Sequence, residues 1–148
     1  RMKDDEWDKV MDINLNSNVK LTRKILRGMI KRRYGRIVFI SSIIGYLGNA
    51  GQSNYASSKA ALSGFAKSIA YEVASRGITS NLIAPGYIQT PMTEKLSDQQ
   101  KQLILEKIPI SRLGEPKDIA SCCVYLSSEE ASFVTGSTFH VNGGMGMF

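Results

Sequence analysis

The residues with the clearest capacity for chemistry are a tyrosine and a lysine four positions apart, Tyr55 and Lys59. Both fall in an amphipathic stretch that predicts a helix over 54–75, so their side chains share one helix face. A phenol is a poor acid–base catalyst at neutral pH because its ordinary pKa is about 10. An ammonium group held beside a phenol stabilises the phenolate. The pair could therefore donate a proton to a carbonyl oxygen or remove one from an alcohol.

A serine completes the candidate site from a neighbouring element. Ser42 follows an apolar, β-branched run that predicts a strand over 36–41. In open α/β sheets, ligands bind beyond the carboxyl ends of the strands. Tyr55 begins the next helix, and a second predicted strand, 79–84, ends in Pro85-Gly86 at that same edge. We expect Ser42 to hydrogen-bond the carbonyl oxygen that the tyrosine protonates, and so to orient the substrate.

The elements that position these groups alternate along the chain. Helical periodicity covers 4–34, and capping signals predict two later helices at 98–107 and 116–127, followed by a last strand over 136–141. Short apolar strands separated by helices imply right-handed crossovers and a parallel sheet in an α/β fold. Such strands are covered on both faces, so 36–41 should be buried on both sides. The connecting segments 43–51 and 87–93 are predicted loops.

The predicted sheet is small. Three strands are fewer than the five or six typical of a doubly wound domain, and strand 36–41 lies at an edge with an apolar, uncharged centre. A bare edge of that kind is a pairing hazard. We therefore expect a further strand from outside these 148 residues, and interpret the chain as the carboxyl-terminal portion of a doubly wound, Rossmann-type parallel sheet.

Composition excludes several classes of protein. The chain is 43% hydrophobic and 22% charged, with a formal net charge of +6; a disordered or fibrous chain has a different balance. No stretch approaches the roughly 18 apolar residues of a membrane span. The basic surplus favours acidic partners. The longest basic run is Lys31-Arg32-Arg33, which argues against nucleic-acid binding.

The cysteines and the histidine are interpreted as structural. Cys122 and Cys123 are adjacent and lack metal-ligand spacing, so we expect no metal site and a reducing compartment. His140, the single histidine, falls inside the last predicted strand. The residues around the cysteines predict a buried helix face: Ile119, Ala120, Val124 and Leu126.

Ser42, Tyr55 and Lys59, with twelve and three residues between them, resemble the signature of the short-chain dehydrogenase/reductase family. Within that family, the sequence most resembles enzymes that reduce 3-oxoacyl-acyl carrier protein in fatty acid biosynthesis. Matching segments run along the whole chain: Asn14-Leu15, 48–60, 72–79, 85–90 and 140–145.

The resemblance implies an oxidoreductase that forms a (3R)-3-hydroxyacyl product with hydride from NADPH. Tyr55 would donate the proton to the keto oxygen, Ser42 would polarise that oxygen, and Lys59 would stabilise the phenolate and bind the nicotinamide ribose. Asn14 would hold a water in a proton relay that reaches Lys59. Family members distort the helix at this position, which would account for an asparagine in mid-helix. A kink without a catalytic part is the alternative.

The family's cofactor contacts map onto the loop after the second strand. Pro85 and Gly86 would pack at the nicotinamide of NADP(H), Ile88 would bind its carboxamide through main-chain groups, and Thr90 would lie near the phosphates. A plain turn is the alternative for the Pro-Gly pair. Residues 91–107 match a segment that covers the substrate. Pro91 stands where many relatives carry Asp, and its missing amide donor and fixed φ predict that loop closure differs in detail from that of those relatives.

The resemblance also suggests a role for the basic charge. Acyl carrier protein is acidic, and related reductases dock it on arginines near the mouth of the active site. The matching positions are Arg33 and Arg76, with Arg36 nearby. Solvated helix ends with favourable cation–dipole placement are the alternative. Relatives are usually homotetramers that pair through the two long helices and through the last helix and strand, and they are cytoplasmic, or organellar in eukaryotes.

The family's glycine-rich phosphate turn is missing from this sequence. We therefore expect 1–148 to be a partial domain that carries the catalytic and substrate end without the dinucleotide-binding amino-terminal part, and that alone is inactive. Two other interpretations stay open. The complete protein could act on another ketone, an alcohol or an acyl-CoA, or the chain could be a truncated, non-catalytic interaction module.

Overall fold

Seven helices and three strands alternate along the chain in a computed structural model that describes residues 2–148. Each helix among these residues is too short or too polar to cross a lipid bilayer. The helices are α1 (Asp4–Met11), α2 (Ser17–Arg32), α3 (Ile44–Leu47), α4 (Ser53–Val73), α5 (Pro91–Glu94), α6 (Asp98–Leu105) and α7 (Pro116–Ser127). The strands are β1 (Gly35–Ile40), β2 (Ile78–Pro85) and β3 (Thr138–Val141).

The three strands form a parallel sheet in the order β1-β2-β3. Gly35 of β1 pairs with Ile78 at the start of β2, and Leu82 pairs with Thr138 where β3 joins. β2 is buried from Ile78 to Ala84, because it has a strand on each side and helices on each face. The predicted α/β fold with a parallel sheet is confirmed.

The helix predicted over 4–34 is interrupted in its middle. A π-helical turn, Asp12–Asn16, separates α1 from α2, as the family resemblance predicted. The extra residue in such a turn loosens the backbone hydrogen bonds of the helix. It occurs where Asn14 and Asn16, both weak helix formers, stand close together.

Two short helices occupy segments that the sequence predicted to be loops. α3 lies in 43–51, and α5 begins just before the end of 87–93. α5 starts with Pro91, whose fixed φ suits the first turn of a helix. The Thr90 hydroxyl accepts the Thr93 N–H at 3.4 Å as its cap. Pro91 therefore removes an amide that would have had no partner within the helix.

The core has one cluster on each face of the sheet. Side chains of β1, β2 and α4 form the first cluster, with α2 packed against it: Ile37, Phe39, Leu62, Ala66, Ile69, Val73, Ile78 and Leu82. The second lies under α7: Ile83, Leu126 and Ala131, with Val38, Ile119, Cys122, Cys123 and Phe139 partly buried against them. The layer of α1, α2 and α4 thus covers one face, and α7 covers the other.

The prediction that strand 36–41 is buried on both faces is wrong. Ile37 and Phe39 point beneath the α2–α4 layer and are 6% and 4% exposed, whereas Ile40 is 45% exposed. Val38, on the side of α7, is only partly buried. The asymmetry arises because β1 is an edge strand of the described sheet, and its second face is covered mainly by α7, a twelve-residue helix.

The predicted buried face of α7 is only half correct. Leu126 is fully buried, and Ile119 lies against the core. Ala120 is exposed and Val124 is 70% exposed, because both point away from the sheet. Cys122 and Cys123 are free thiols at the boundary between these two faces. Burial raises the pKa of the Cys122 thiol, which keeps it protonated.

His140 is part of an aromatic stack beside β3. Its ring centre lies 4.8 Å from that of Tyr46 and 5.0 Å from that of Phe148. Its Nδ1 atom is buried without a hydrogen-bond partner among residues 2–148. Burial lowers the pKa of His140 below its ordinary value. The imidazole therefore serves as a neutral packing group, in agreement with the structural interpretation from sequence.

We predict that mild acid destabilises the fold through His140. The unfolded chain takes up a proton near the ordinary imidazole pKa of 6.5, whereas the folded imidazole stays neutral to lower pH. Stability therefore falls as the pH drops below that value and levels off below the folded pKa. The free energy of unfolding in urea, measured at neutral pH and at about pH 5, should fall less for His140→Phe than for the wild type.

The matched control for this measurement is Tyr46→Phe, which keeps the imidazole and should keep the wild-type pH dependence. If the free energy of unfolding falls between the two pH values as much in His140→Phe as in the wild type, His140 is not the group that causes the acid sensitivity.

Candidate active site

The candidate catalytic groups surround one cleft at the carboxyl edge of the sheet. Ser42 follows β1, Tyr55 lies in the first turn of α4, and Gly86 follows β2. The cleft has a volume of about 500 Å³. Its wall is completed by Ile43, Ile44, Gln52, Asn54, Tyr87, Ile88, Thr90 and Thr93. The parallel strands therefore deliver two loops and one helix start to the same place.

Lys59 lies between Tyr55 and the end of β1. Its Nζ atom donates a hydrogen bond to the Ile40 carbonyl oxygen at 2.9 Å and lies 5.6 Å from the centre of the Tyr55 ring. Burial lowers the pKa of Lys59 from its usual value, because removal from water disfavours the ammonium. The hydrogen bond to the Ile40 carbonyl oxygen offsets part of this desolvation cost and holds the Lys59 ammonium beside the Tyr55 ring.

The two serines after β1 have different partners. Ser41 Oγ donates to the Lys59 carbonyl oxygen at 2.9 Å and so ties the strand end to α4. Ser42 Oγ accepts the Ile44 N–H at 3.2 Å. A hydroxyl that accepts one bond keeps its own proton to donate. Ser42 can therefore donate toward a ligand oxygen in the cleft, whereas Ser41 supports the framework.

Asn14 reaches the site through a residue that sequence reasoning missed. Asn14 Nδ2 donates to Ser58 Oγ at 3.1 Å, and Ser58 Oγ donates to the Tyr55 carbonyl oxygen at 2.7 Å. Ser58 is fully buried. Its position three residues after Tyr55, facing away from solvent on the predicted helix, is the signal that could have found it. The π-turn thus holds the first turn of α4.

Packing and hydrogen bonding explain several residue types in the loop after β2. The Gly86 N–H donates to Val141 O at 3.0 Å, and a Cβ at Gly86 would meet Asn142 Cα at 2.8 Å. Glycine is therefore required for packing against the end of β3. Ile88 forms an isolated bridge with Gly114, and Thr90 caps α5. Pro85, Gly86, Ile88 and Thr90 all lie at the cleft edge, with Gly86, Ile88 and Thr90 in its wall.

The arginines do not lie near this cleft within one chain. Arg33 precedes β1 and Arg76 precedes β2, so both stand at the amino edge of the sheet, opposite the cleft. Arg33 Nη2 donates to Ser75 O at 3.0 Å, which joins the two helix ends. The sequence expectation that these residues flank the active-site mouth is therefore not met within a single subunit.

Arg36 was predicted to lie near the docking arginines, and the structure corrects this prediction: Arg36 has a structural role. Its side chain is only 7% exposed and pairs with Glu129 at 3.4 Å. It also donates to the carbonyl oxygens of Ser128, Gly35 and Gly77. The guanidinium thus holds the start of the sheet to the segment after α7 and has few donors left for a partner.

The cleft and the Lys59 ammonium beside it fit the nicotinamide end of a dinucleotide. Lys59 directs one of its three N–H bonds at Ile40, so two remain, among the described residues, for sugar hydroxyls. The apolar side chains of Ile43, Ile44 and Ile88 line the same cleft, and an uncharged ring packs well against such a wall. The residues present therefore fit this part of the group.

Comparisons with known proteins agree with this geometry. A family described as enoyl-(acyl carrier protein) reductase matches residues 1–146. A 3-oxoacyl-[acyl-carrier-protein] reductase of Salmonella typhimurium is 55% identical over 147 residues, covering 99% of this chain and 60% of the relative. Similar enzymes of Vibrio cholerae and Rickettsia conorii are 52% and 54% identical and are also covered to 60%. The chain thus spans about 60% of the length of the curated relatives it matches.

We predict that Ser58→Ala destabilises the protein by about 1–3 kcal/mol, because it leaves the Asn14 amide without its acceptor and removes the hydroxyl bond that ties this amide to the Tyr55 carbonyl oxygen. Ser57→Ala is the matched control. Ser57 is exposed, so its change should fall within about 0.5 kcal/mol. The measurement is the free energy of unfolding in urea, and equal values for the two variants would contradict the proposed bridge.

Proposed function

Because the chain belongs to the short-chain dehydrogenase/reductase family, we propose that the complete protein reduces a 3-oxoacyl thioester on acyl carrier protein. The product is the (3R)-3-hydroxyacyl thioester, and the hydride comes from NADPH. The observation that carries the proposal is the fixed Lys59 ammonium, 5.6 Å from the centre of the Tyr55 ring, beside a cleft that both Tyr55 and Ser42 line. Relatives more than half identical in sequence, described as 3-oxoacyl-[acyl-carrier-protein] reductases, support the substrate class.

In the proposed reaction, Tyr55 donates its phenolic proton to the keto oxygen as that oxygen gains negative charge. Ser42 donates a hydrogen bond to the same oxygen and holds the carbonyl in place. Lys59 stabilises the phenolate left on Tyr55, because its ammonium is kept beside the ring by Ile40. The bound nicotinamide supplies the hydride.

Asn14 has a positioning role and a proposed part in proton return. Its Nδ2 atom is engaged with Ser58, which leaves Oδ1 as an acceptor for a water on the path to Lys59. The water would carry protons toward the Tyr55 phenolate after each turnover. The π-turn matters here because it brings Asn14 against α4.

Cofactor binding is proposed for the cleft edge. The two remaining N–H bonds of Lys59 suit the ribose hydroxyls, and the main chain of Ile88 suits the carboxamide. Pro85 and Gly86 would lie at the ring, and Thr90 would lie toward the phosphates. The phosphate-binding turn and the residues that select NADPH are proposed to belong to the complete protein outside 1–148, which would leave this stretch as a partial domain.

Arg33 and Arg76 are proposed to dock the acidic carrier protein. Both are exposed, and the hydrogen bond from Arg33 to Ser75 keeps the two side chains at neighbouring helix ends. Arginine suits carboxylates because its planar fork binds them with two hydrogen bonds.

A cytoplasmic homotetramer is proposed for the complete protein, by analogy with the family.

The description of the matching family supports a second candidate, reduction of an enoyl thioester. Ser42 and Tyr55 line one cleft, and two hydroxyl donors on one wall favour a keto oxygen as the acceptor. An assay of the complete protein with NADPH and either acetoacetyl or crotonyl thioesters separates the two candidates. Turnover of the crotonyl thioester alone, or of an unrelated ketone alone, would contradict the leading proposal.

We predict that Tyr55→Phe in the complete protein lowers kcat by about 10²–10⁴-fold while the protein folds normally, because the proton donor is lost. Tyr71→Phe on the same helix is the matched control, since Tyr71 is 92% exposed and far from the cleft. The measurement is the steady-state rate of NADPH oxidation with an acetoacetyl thioester. Near-normal turnover in Tyr55→Phe would refute the assigned role.

Replacement of both arginines, Arg33→Glu with Arg76→Glu, should lower kcat/KM for carrier-bound substrate by at least about tenfold more than for a small thioester, because the acidic carrier would be repelled. A control pair, Lys9→Glu with Lys117→Glu, makes the same change in net charge at other exposed lysines. Equal losses on both substrates would argue against docking at Arg33 and Arg76, as would an equal effect of the control pair.

A further inference from the structure

Two backbone hydrogen bonds hold the loop after β2 beyond the end of the sheet. The Gly114 N–H donates to the Tyr87 carbonyl oxygen at 2.9 Å, and the Gln89 N–H donates to the Gly114 carbonyl oxygen at 2.8 Å. Together they form the parallel bridge between Ile88 and Gly114. Gly114 lies in the segment 106–115, which joins α6 to α7 and which we call the connector. The connector therefore serves as the strand partner of this loop.

This bridge determines where the peptide groups of Ile88 point. Successive N–H and C=O groups of an extended chain point to opposite sides. Since the bonds to the connector come from the residues before and after Ile88, the N–H and C=O of Ile88 itself are directed to the other side. There the Ile88 carbonyl oxygen accepts the Thr93 hydroxyl at 3.0 Å, and both residues line the catalytic cleft. The Ile88 main chain thus faces the place proposed for the nicotinamide carboxamide.

An ion pair binds the backbone on each side of Gly114. Arg112 Nη1 donates to the Leu113 carbonyl oxygen at 3.0 Å and to Asp118 Oδ2 at 2.8 Å. Arg112 Nη2 donates to Asp118 Oδ1 at 3.4 Å. The Glu115 N–H donates to Asp118 Oδ2 at 2.8 Å. The carbonyl before the glycine and the amide after it are therefore both bound to this ion pair.

The ion pair and the loop share the same two peptide groups. The peptide group before Gly114 is bound by Arg112 at its oxygen and gives its N–H to Tyr87. The peptide group after Gly114 gives its N–H to Asp118 and accepts the Gln89 N–H with its oxygen. Hydrogen bonds linked in this way polarise and strengthen one another. Loss of the ion pair would free both peptide groups to turn away from the loop.

Packing constrains this region less than it constrains the core. A cavity of about 70 Å³ borders both the loop and the connector, with Ile88, Gly114 and Asp118 in its wall. Ser111 in the connector has a φ of 59°, which a residue with a side chain rarely adopts. Asp118, by contrast, belongs to α7, whose Leu126 is fully buried in the core. The ion pair thus ties the connector to a fixed part of the fold.

The ion pair is charged throughout the neutral pH range. The hydrogen bond from Arg112, together with the smaller effect of the Glu115 N–H, lowers the pKa of Asp118 to about 2. An arginine keeps its proton at any pH at which a protein is assayed. Substitution, rather than a change of pH, is therefore the way to break the pair.

We propose that Arg112 and Asp118 are positioning residues for the coenzyme. By fixing the peptide groups on each side of Gly114, they hold Ile88 in the orientation in which its main chain binds the carboxamide of NADPH. Both act from outside the wall of the cleft. This inference rests on the proposed function and deepens it, because it assigns the residues that orient one end of the coenzyme.

Amide hydrogen exchange in the complete protein without coenzyme tests the positioning step. Asp118→Asn removes one charge of the pair but keeps a side chain of the same size. The N–H groups of Gln89 and Gly114 should exchange at least about tenfold faster in this variant, because their hydrogen bonds open more often. Glu129→Gln is the matched control, since it makes the same carboxylate-to-amide change in the ion pair with Arg36 and should leave both rates unchanged. Wild-type rates in Asp118→Asn would overturn the inference.

Coenzyme binding tests the functional step. The Kd for NADPH, measured by coenzyme fluorescence, should rise about tenfold in Asp118→Asn, the effect of one lost hydrogen bond. The KM for a small acetoacetyl thioester at saturating NADPH should change by less than about twofold. Arg112→Gln should act in the same way, and the double variant should be no worse than either single one. Equal increases in the Kd and the KM would indicate general damage to the site and would overturn the inference.

A coenzyme analogue tests whether the carboxamide is the group concerned. Reduced 3-acetylpyridine adenine dinucleotide phosphate has a methyl ketone in place of the carboxamide, so it cannot donate a hydrogen bond to the Ile88 carbonyl oxygen. Its Kd should rise by less than about threefold in Asp118→Asn, whereas that of NADPH rises about tenfold. Equal increases for the two coenzymes would show that the substitution acts elsewhere, and the inference would be wrong.

Failure of the proposed function gives a different result from failure of the inference. If the wild type binds no NADPH or reduces no 3-oxoacyl thioester, the proposed reaction is wrong and the inference falls with it. If the wild type does both, and the Kd for NADPH is unchanged in Asp118→Asn and in Arg112→Gln, only the inference is wrong. Unfolding in urea identifies a variant that does not fold. Arg112→Gln, at a side chain that is 52% exposed, supplies the same test if Asp118→Asn fails to fold.

Discussion

The ammonium group of Lys59 is held at the end of β1 by its hydrogen bond to the Ile40 carbonyl oxygen, and the geometry of the cleft depends on that bond. Partial burial makes the charge costly. The end of β1 must therefore lie against α4, so that the Ile40 carbonyl oxygen is within hydrogen-bond distance of Lys59 Nζ. The Ser41 hydroxyl on the Lys59 carbonyl and the contact between the Phe39 and Phe65 rings hold the strand and the helix in that position.

The other side of α4 is fixed by the interrupted helix that precedes β1. The π-turn brings Asn14 to Ser58, and Ser58 to the Tyr55 carbonyl. Tyr55 is thus placed by β1 on one side and by the π-turn between α1 and α2 on the other. The same arrangement places Arg33 and Arg76 at the amino edge of the sheet, opposite the cleft that Tyr55 lines.

Local signals in the sequence predicted much of this fold. The helix over 116–127 has the predicted bounds, and Ser97 forms the predicted capping box with Gln100. The parallel sheet and the meeting of loops at its carboxyl edge follow from the alternation of strands and helices. Exposure at the edge of the sheet was less predictable: Ile40 belongs to an apolar run, yet periodicity does not reveal which neighbours cover it.

The tertiary contacts of individual side chains also could not be predicted from the sequence. Arg36 resembles the other arginines in type, but its donors are used by carbonyl oxygens of Gly35, Gly77 and Ser128, which are distant from one another in sequence. Ser58 differs from Ser57 only in the direction in which it points. The positions of Arg33 and Arg76 before their strands, however, do predict their place at the amino edge of the sheet.

Hydride and proton transfer in the complete protein test the central claim most directly. Reduced coenzyme labelled with deuterium at the transferred position of its nicotinamide ring would be supplied with a 3-oxoacyl thioester in ordinary water. Carbonyl reduction in this cleft predicts one deuterium on carbon 3 of a 3R-hydroxyacyl product, with the hydroxyl proton taken from solvent through Tyr55. A product without deuterium at carbon 3, or with the label on carbon 2, would contradict the assignment of the cleft to carbonyl reduction.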